Sequence, residues 1–413
     1  MISSTQVSIV LIIIWGFVYY RLKKKLVTAK GYFLLLLIMG SAGLVLPMDE
    51  YIHYYSTRYG LFNTVVFAFL LIFTIIPWFY FDKHFKNWGV LKIKSSSIPF
   101  LRTLFILNII LGIYAIIYSI PYAIMALNMG ANDVRQYIND DTFYPRSIWT
   151  TICVGIGYLS PLQILCYYLS LLDTRLKKFS TPLFIVSLSY LITMLPYASR
   201  DGFIFIPLTY LFLFKVFNRS LSDKSKKNIK RVTFIFGSIV LGIFLLITIQ
   251  RFWDNIKGGR SSFESFIYGT WGYFFQQPYV FDQHIQYLTE FVGFSRRFEL
   301  LEIIFGTPHH SFTPELLTTS FGTMYAEFYA VSGWKSLIYI SLFYYISFSL
   351  LFKILFTKRN YFGILIVFSV YLYYTITGLF YYKMFLLSVT ELYLFVLFGC
   401  LFINNVLYLD NKK

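Results

Sequence analysis

Charge is scarce in this chain, and negative charge most of all. Asp and Glu number 19 against 36 Lys and Arg in 413 residues, a charged share of 13%. Soluble domains carry about 25%, so a soluble enzyme of this length is excluded. Cysteine is nearly absent. Cys153, Cys166 and Cys400 all lie in apolar runs, which excludes a disulfide scaffold and a thiolate metal site. No HExxH or DxD pattern is present either, so no metal site and no cofactor is expected. The opening "MISSTQ" lacks the basic segment of a cleavable signal; the basic "RLKKK" follows the first apolar run instead. That order predicts an uncleaved first helix with its N-terminus outside.

What fills the space is apolar. Hydrophobic residues make up 57% of the chain and mean hydropathy is +0.64. Many runs approach the ~18 apolar residues that cross a bilayer. The expected fold is all-α: one polytopic membrane domain over residues 1–413 with about eleven transmembrane helices. They are read as Thr5–Tyr20, Gly31–Met48, Leu61–Phe81, Ile98–Ala126, Ser147–Leu172, Thr181–Ser199, Gly202–Phe217, Val232–Gln250, Trp334–Phe352, Tyr361–Phe380 and Phe385–Asn404. Net charge +17 would suggest a nucleic-acid partner in a soluble protein. Here it reports topology, and no nucleic acid is expected.

The loops alternate in charge. "RLKKKLVTAK", "DKHFKNWGVLKIK", "DTRLKK", "NRSLSDKSKKNIKR", "KILFTKRN" and the terminal "DNKK" are lysine-rich, hence cytoplasmic by the positive-inside rule. The C-terminus is then inside. On this topology the inner side holds 19 Lys and 6 Arg, and the outer side 8 Arg and 3 Lys. Outer arginine runs against the topological bias and calls for a local reason. Its rigid fork grips phosphate or carboxylate through two hydrogen bonds.

Arg200 stands in "LPYASRDGFIF", at the outer junction of the sixth and seventh expected spans. It reads as an anion ligand, with pairing to Asp201 as the competing account; Asp201 itself suits a cap of the following helix. Residues 251–320 form the one long external loop, rich in aromatics and holding Arg251, Arg260, Arg296 and Arg297. Stretches such as "SSFESFIYGTWGYFFQQPYVFDQH" read as short amphipathic helices lying on or dipping into the outer leaflet. "GTPHHSFTPE" places His309 and His310 between prolines, as hydrogen-bonding groups, as a general base, or as a solvated turn. Glu327 falls in an apolar helical pattern before the ninth span; a carboxylate there acts as a base or holds an arginine.

An "SR" at the outer junction of two middle spans precedes a large outer loop. Tyr325, Glu327, Phe328 and Gly333 then lead into a span. In these features the chain resembles the bacterial O-antigen polymerases of Wzy type. The family pattern has Asp where Glu327 stands and Gly where Tyr329 stands. The resemblance implies a metal-independent, inverting membrane glycosyltransferase of the bacterial cytoplasmic (inner) membrane. Its substrate would be undecaprenyl-pyrophosphate-linked oligosaccharide, polymerised at the outer face into O-antigen of lipopolysaccharide, capsule or exopolysaccharide. Partners would be membrane lipid and a chain-length regulator protein. In this scheme Glu327, His309 or His310 supplies the base, and Arg200, Arg260, Arg296, Arg297 and Arg251 bind pyrophosphate. Two alternatives stay open: an O-antigen ligase-like glycosyltransferase, and a flippase or transporter of the lipid-linked oligosaccharide.

Overall fold

A computed structural model describes residues 3–42, 60–129, 147–197, 199, 202–252, 261–267, 277–291, 293, 323–380 and 389–410. The described chain is mostly helical. In order it forms α1 (Ser4–Leu22), α2 (Lys30–Ala42), α3 (Leu61–Phe73), α4 (Ile75–Phe85), α5 (Ile98–Met129), α6 (Ile148–Tyr158) and α7 (Ser160–Ser170). There follow α8 (Ser180–Val186), α9 (Ser189–Met194), α10 (Gly202–Phe217), α11 (Asp223–Phe252) and α12 (Ser262–Ile267). The last helices are α13 (Gln277–Tyr287), α14 (Met324–Ser332), α15 (Trp334–Thr357), α16 (Tyr361–Phe380) and α17 (Val389–Gly399). Strands β1 (Val90–Ile93) and β2 (Leu407–Asp410) pair antiparallel, with Leu91 opposite Leu409.

Among the described residues, seven helices are long and apolar enough to cross a membrane. An eighth is counted if α6 and α7, bent by 49° at their junction, are one span. This is the architecture of a multi-pass membrane protein. Three of the eleven expected spans are shorter helices: α2 has 13 residues, α10 has 16 and α17 has 11. Residues 43–48 of the second expected span, residue 198 of the sixth and residues 385–388 of the eleventh lie outside the described residues.

The chain divides into two compact units of discontinuous segments. The first holds Met1–Asn87, Ile267–Lys358 and Tyr374–Phe402; the second holds Trp88–Phe266, Arg359–Tyr373 and Ile403–Lys413. In the first unit α1 packs on α2 and α3. The Trp15 indole N–H donates to the Ala68 carbonyl at 3.5 Å. Asp82, fully buried near the end of α4, anchors the turn that leads into α2. Its carboxylate accepts from the N–H groups of Val27 (2.9 Å), Thr28 (3.0 Å) and Ala29 (3.3 Å), and from the Thr28 hydroxyl. Lipid offers no substitute for such partners, so buried helix ends are satisfied within the protein.

In the second unit the lysine-rich segments meet. β1 comes from "DKHFKNWGVLKIK" and β2 runs into "DNKK". The Leu91 N–H donates to Ser220 Oγ at 2.8 Å, and Arg219 donates to the Trp88 carbonyl at 3.0 Å. Asn405 Nδ2 donates to the Arg359 carbonyl at 2.7 Å, and Arg175 to Ser95 Oγ at 3.4 Å. Segments assigned to one side from charge alone therefore converge at one end of this unit. Higher in the same unit, Tyr158, Tyr190, Phe205 and Tyr373 form a closed ring of four edge-to-face contacts, with centroids 4.7–6.2 Å apart. Such edge-to-face pairs align ring edges with ring faces and fix packing where lipid gives no hydrophobic drive.

Candidate functional site

The first unit carries the polar chemistry. Helix α13 belongs to the segment read as lying on the outer leaflet, yet every residue from Gln277 to His284 is buried. It packs against α3 and α14. The reason is visible in its side chains. The Phe281 ring lies 5.2 Å from that of Phe67. Asp282 reaches the N-terminus of α3, accepting from the Asn63 side-chain amide at 2.6 Å and the Gly60 N–H at 3.3 Å. Gln286, one turn on, donates to the same carboxylate at 2.5 Å. The aromatics of this stretch thus fill protein, not lipid. Burial pushes the Asp282 carboxyl above its ordinary range, against the lowering effect of those hydrogen bonds.

His284 sits on the same helix, 1% exposed. Its Nδ1 lies 2.7 Å from the Val280 carbonyl. A carbonyl only accepts, so Nδ1 carries the proton and Nε2 keeps the lone pair. Burial lowers the imidazole to about 4, outweighing that hydrogen bond. At neutral pH the ring is therefore an uncharged group with one basic nitrogen.

Helix α14 is buried along its length from Met324 to Val331. The four residues of the motif that leads into the ninth span have separable roles. Tyr325 donates to the Leu70 carbonyl at 2.6 Å and shares a hydrogen bond with the Tyr345 hydroxyl, pinning α14 to α3 and α15. Phe328 stacks on Tyr344 at 5.4 Å. Gly333 has φ +69° and ψ −146°, a backbone conformation that favours glycine, and joins α14 to α15. Ser336 Oγ closes that corner by donating to the Phe328 carbonyl at 2.7 Å, while the Ser332 N–H donates to it at 2.8 Å. Three of the four are thus accounted for by packing and turn geometry. Glu327 is the fourth, 7% exposed in the first turn of α14, where the positive end of the helix favours a carboxylate.

Of the residues expected to form the site, Glu327 is the one whose side chain is described. Arg251 lies in the last turn of α11, in the second unit. Arg200, Arg260, Arg296, Arg297, His309 and His310 lie outside the described residues. Asp282 and His284 were visible in the sequence only as polar content of a loop. Their signal was a carboxylate and an imidazole two residues apart in the aromatic run "QPYVFDQH". Among the described residues, no group of three or more His, Cys, Asp or Glu is placed to hold a metal ion. No family model, curated protein or solved structure matches the chain.

Proposed function

We propose that this chain polymerises lipid-linked oligosaccharide repeat units at the outer face of a bacterial cytoplasmic membrane. The observation that carries the reading is the buried pair α13–α14. Asp282 caps α3, but a loop that only linked two spans would have no use for His284 and Glu327 sequestered in packed helices, because each costs desolvation energy there. The arginine bias of the expected outer loops adds the anion-binding half of the chemistry.

In this reading an acceptor sugar hydroxyl attacks the anomeric carbon of the donor. The Glu327 carboxylate takes the hydroxyl proton, a new C–O bond forms with inversion, and the bond to the lipid pyrophosphate breaks. Arg200, Arg260, Arg296, Arg297 and Arg251 stabilise the departing charge. His309 and His310 are the alternative bases. The test is reconstitution in proteoliposomes with an undecaprenyl-pyrophosphate-linked repeat unit. A ladder of lengthening polysaccharide on a gel is the expected result, and unextended units under all conditions would overturn the reading.

A second reading, transport of the lipid-linked unit, is favoured by one observation. The spans α6–α7 and α8–α9 are both interrupted about midway, a device of secondary transporters. Movement of labelled units across the bilayer without lengthening would select it.

A further inference from the structure

A second polar site, beyond the proposed glycosyl transfer, lies between those two interrupted spans, both within the second unit. α6 ends at Tyr158 and α7 restarts at Ser160; α8 ends at Val186 and α9 restarts at Ser189. The outer pieces α6 and α9 pack together, and so do the inner pieces α7 and α8. The two breaks therefore stand side by side, joined by Ser189 Oγ donating to Gln163 Oε1 at 3.0 Å.

The seam has a regular order. Gly157, Ser160 and Gln163 recur every three residues on one span; Ser189 and Thr193 are one turn apart on the other. A Cβ at Gly157 would come within 2.3 Å of Thr193 Oγ1, so the backbones approach closely there. Ser160 thus stands between the Gly157–Thr193 contact and the Gln163–Ser189 hydrogen bond. Its side chain is fully buried, and its Oγ has no hydrogen-bond partner. A hydroxyl left unmatched in a lipid-buried seam is costly.

The seam has oxygen to spare and few amide donors. Leu162 and Gln163 N–H both donate to the Leu159 carbonyl, and Leu191 and Ile192 N–H to the Leu188 carbonyl. Pro161 has no N–H at all. Ser189 and Thr193 spend their hydroxyl protons on Gln163 Oε1 and the Tyr190 carbonyl, which leaves their lone pairs free to accept. The C-terminal ends of α6 and α8 meet the N-terminal ends of α7 and α9 at the breaks, so the helix dipoles there largely cancel and the ligand is chosen by the side-chain oxygens. Neither span carries a charged residue between Ser147 and Leu172 or between Thr181 and Tyr197.

We infer that this seam binds a small monovalent cation, ligated by Ser160 Oγ, Gln163 Oε1, Ser189 Oγ and Thr193 Oγ1. An all-oxygen, uncharged donor set suits a hard alkali ion. The experiment is thermal unfolding of the full-length protein in nanodiscs, titrated with NaCl, KCl or choline chloride at constant ionic strength. Wild type is expected to gain stability saturably with Na+ or K+ over choline. Ser160→Ala and Thr193→Val should each lower that apparent affinity about tenfold or more while keeping the choline melting temperature near wild type. Identical melting in all three salts overturns the proposal. So does an alkali effect that survives both substitutions, since the ion then binds elsewhere. A Ser160→Ala variant that melts higher than wild type in every salt also overturns it, leaving only a hydroxyl better removed.

Discussion

Asp282 on α13 holds Asn63 on α3 through a 2.6 Å hydrogen bond, across 219 positions of sequence. The same carboxylate covers the Gly60 N–H, so a residue of one remote segment caps a span of another. Replacing it with Leu leaves the half-buried Gly60 N–H and Asn63 amide without this acceptor, a loss of about 0.5–1.5 kcal/mol each. Asp282→Asn keeps one acceptor and should cost about 0.5–2 kcal/mol, the range of a lost helix cap. Thermal unfolding of the purified protein should rank wild type above Asn above Leu. Equal melting temperatures for all three would remove the cap from the account.

His284 predicts a pH dependence with a definite sign. Its folded pKa, about 4, lies below the unfolded value of 6.5. The unfolded chain therefore binds the proton first, and stability falls as pH drops from about 6.5 towards 4. Asp282, with its carboxyl pushed upward, acts in the opposite direction: acid relieves its burial. His284→Gln should flatten the loss between pH 6.5 and 4 and leave the Asp282 contribution. Melting curves of the two proteins at stepped pH measure this; parallel curves would contradict it.

Glu327→Gln should abolish polymer at normal membrane abundance, because Gln keeps the shape and loses the base. Removing a general base costs about 10²–10⁴-fold. Glu327→Asp, the residue of the resembling family, should retain part of the activity. The readout is the length distribution of surface polysaccharide in a complemented deletion strain, with abundance by blot. Full-length polymer from the Gln variant transfers the role of base to His309 or His310.

Arg200→Lys keeps the charge and loses the fork, so it should impair polymerisation, and Arg200→Ala should impair it more. One charge-assisted hydrogen bond of about 1.5–3 kcal/mol corresponds to about 10- to 100-fold in rate. If Arg200 served only Asp201, Asp201→Asn would be as damaging, and the double variant no worse than either.

Gly112 on α5 faces Val186 at the end of α8. A Cβ at Gly112 would lie 2.4 Å from Val186 Cβ. Gly112→Ala should reduce the yield of folded protein, with a cost of about 1–3 kcal/mol for overpacking. Val186→Gly in the same chain removes the opposing Cβ and should restore part of it. Size-exclusion profiles of the two variants, compared as a cycle, decide it; no rescue would mean the clash is relieved elsewhere.

Helix positions were legible because lipid imposes a simple rule: an apolar run of sufficient length is a helix. Tyr361–Phe380 and Gly202–Phe217 carry the same bounds in sequence and structure. The breaks were not, since hydropathy averages over them. Pro161 was a local signal for one; the break at Ser187 and Leu188 has neither Gly nor Pro. The β1–β2 pairing joins residues 90–93 to residues 407–410, and nothing local to "VLKI" or "LYLD" encodes a partner so distant. The burial of α13 was misread for a related reason. Aromatic and polar residues mixed along a helix suit an interface equally well in lipid and in protein. Its cap contact to α3 decides between them and exists only in three dimensions. Of the site, Glu327 was singled out by its setting in an apolar helix, whereas Asp282 was masked by its loop.

Helix α16 is buried from Phe362 to Leu379, and it carries Ser369, Tyr371, Tyr373, Tyr374, Thr375 and Thr377 in close succession. Those hydroxyls are tolerable only with protein around them. The ribosome delivers this helix after α1 to α15, so most of its neighbours are already in the bilayer. Its release from the insertion machinery is therefore coupled to the earlier helices being in place. A chain lacking one of them offers bare hydroxyls to lipid and becomes a substrate for membrane quality-control proteolysis. Pulse-chase lifetimes of chains with single earlier helices deleted should accordingly be short, and should lengthen when Tyr371, Tyr373 and Tyr374 are changed to Phe.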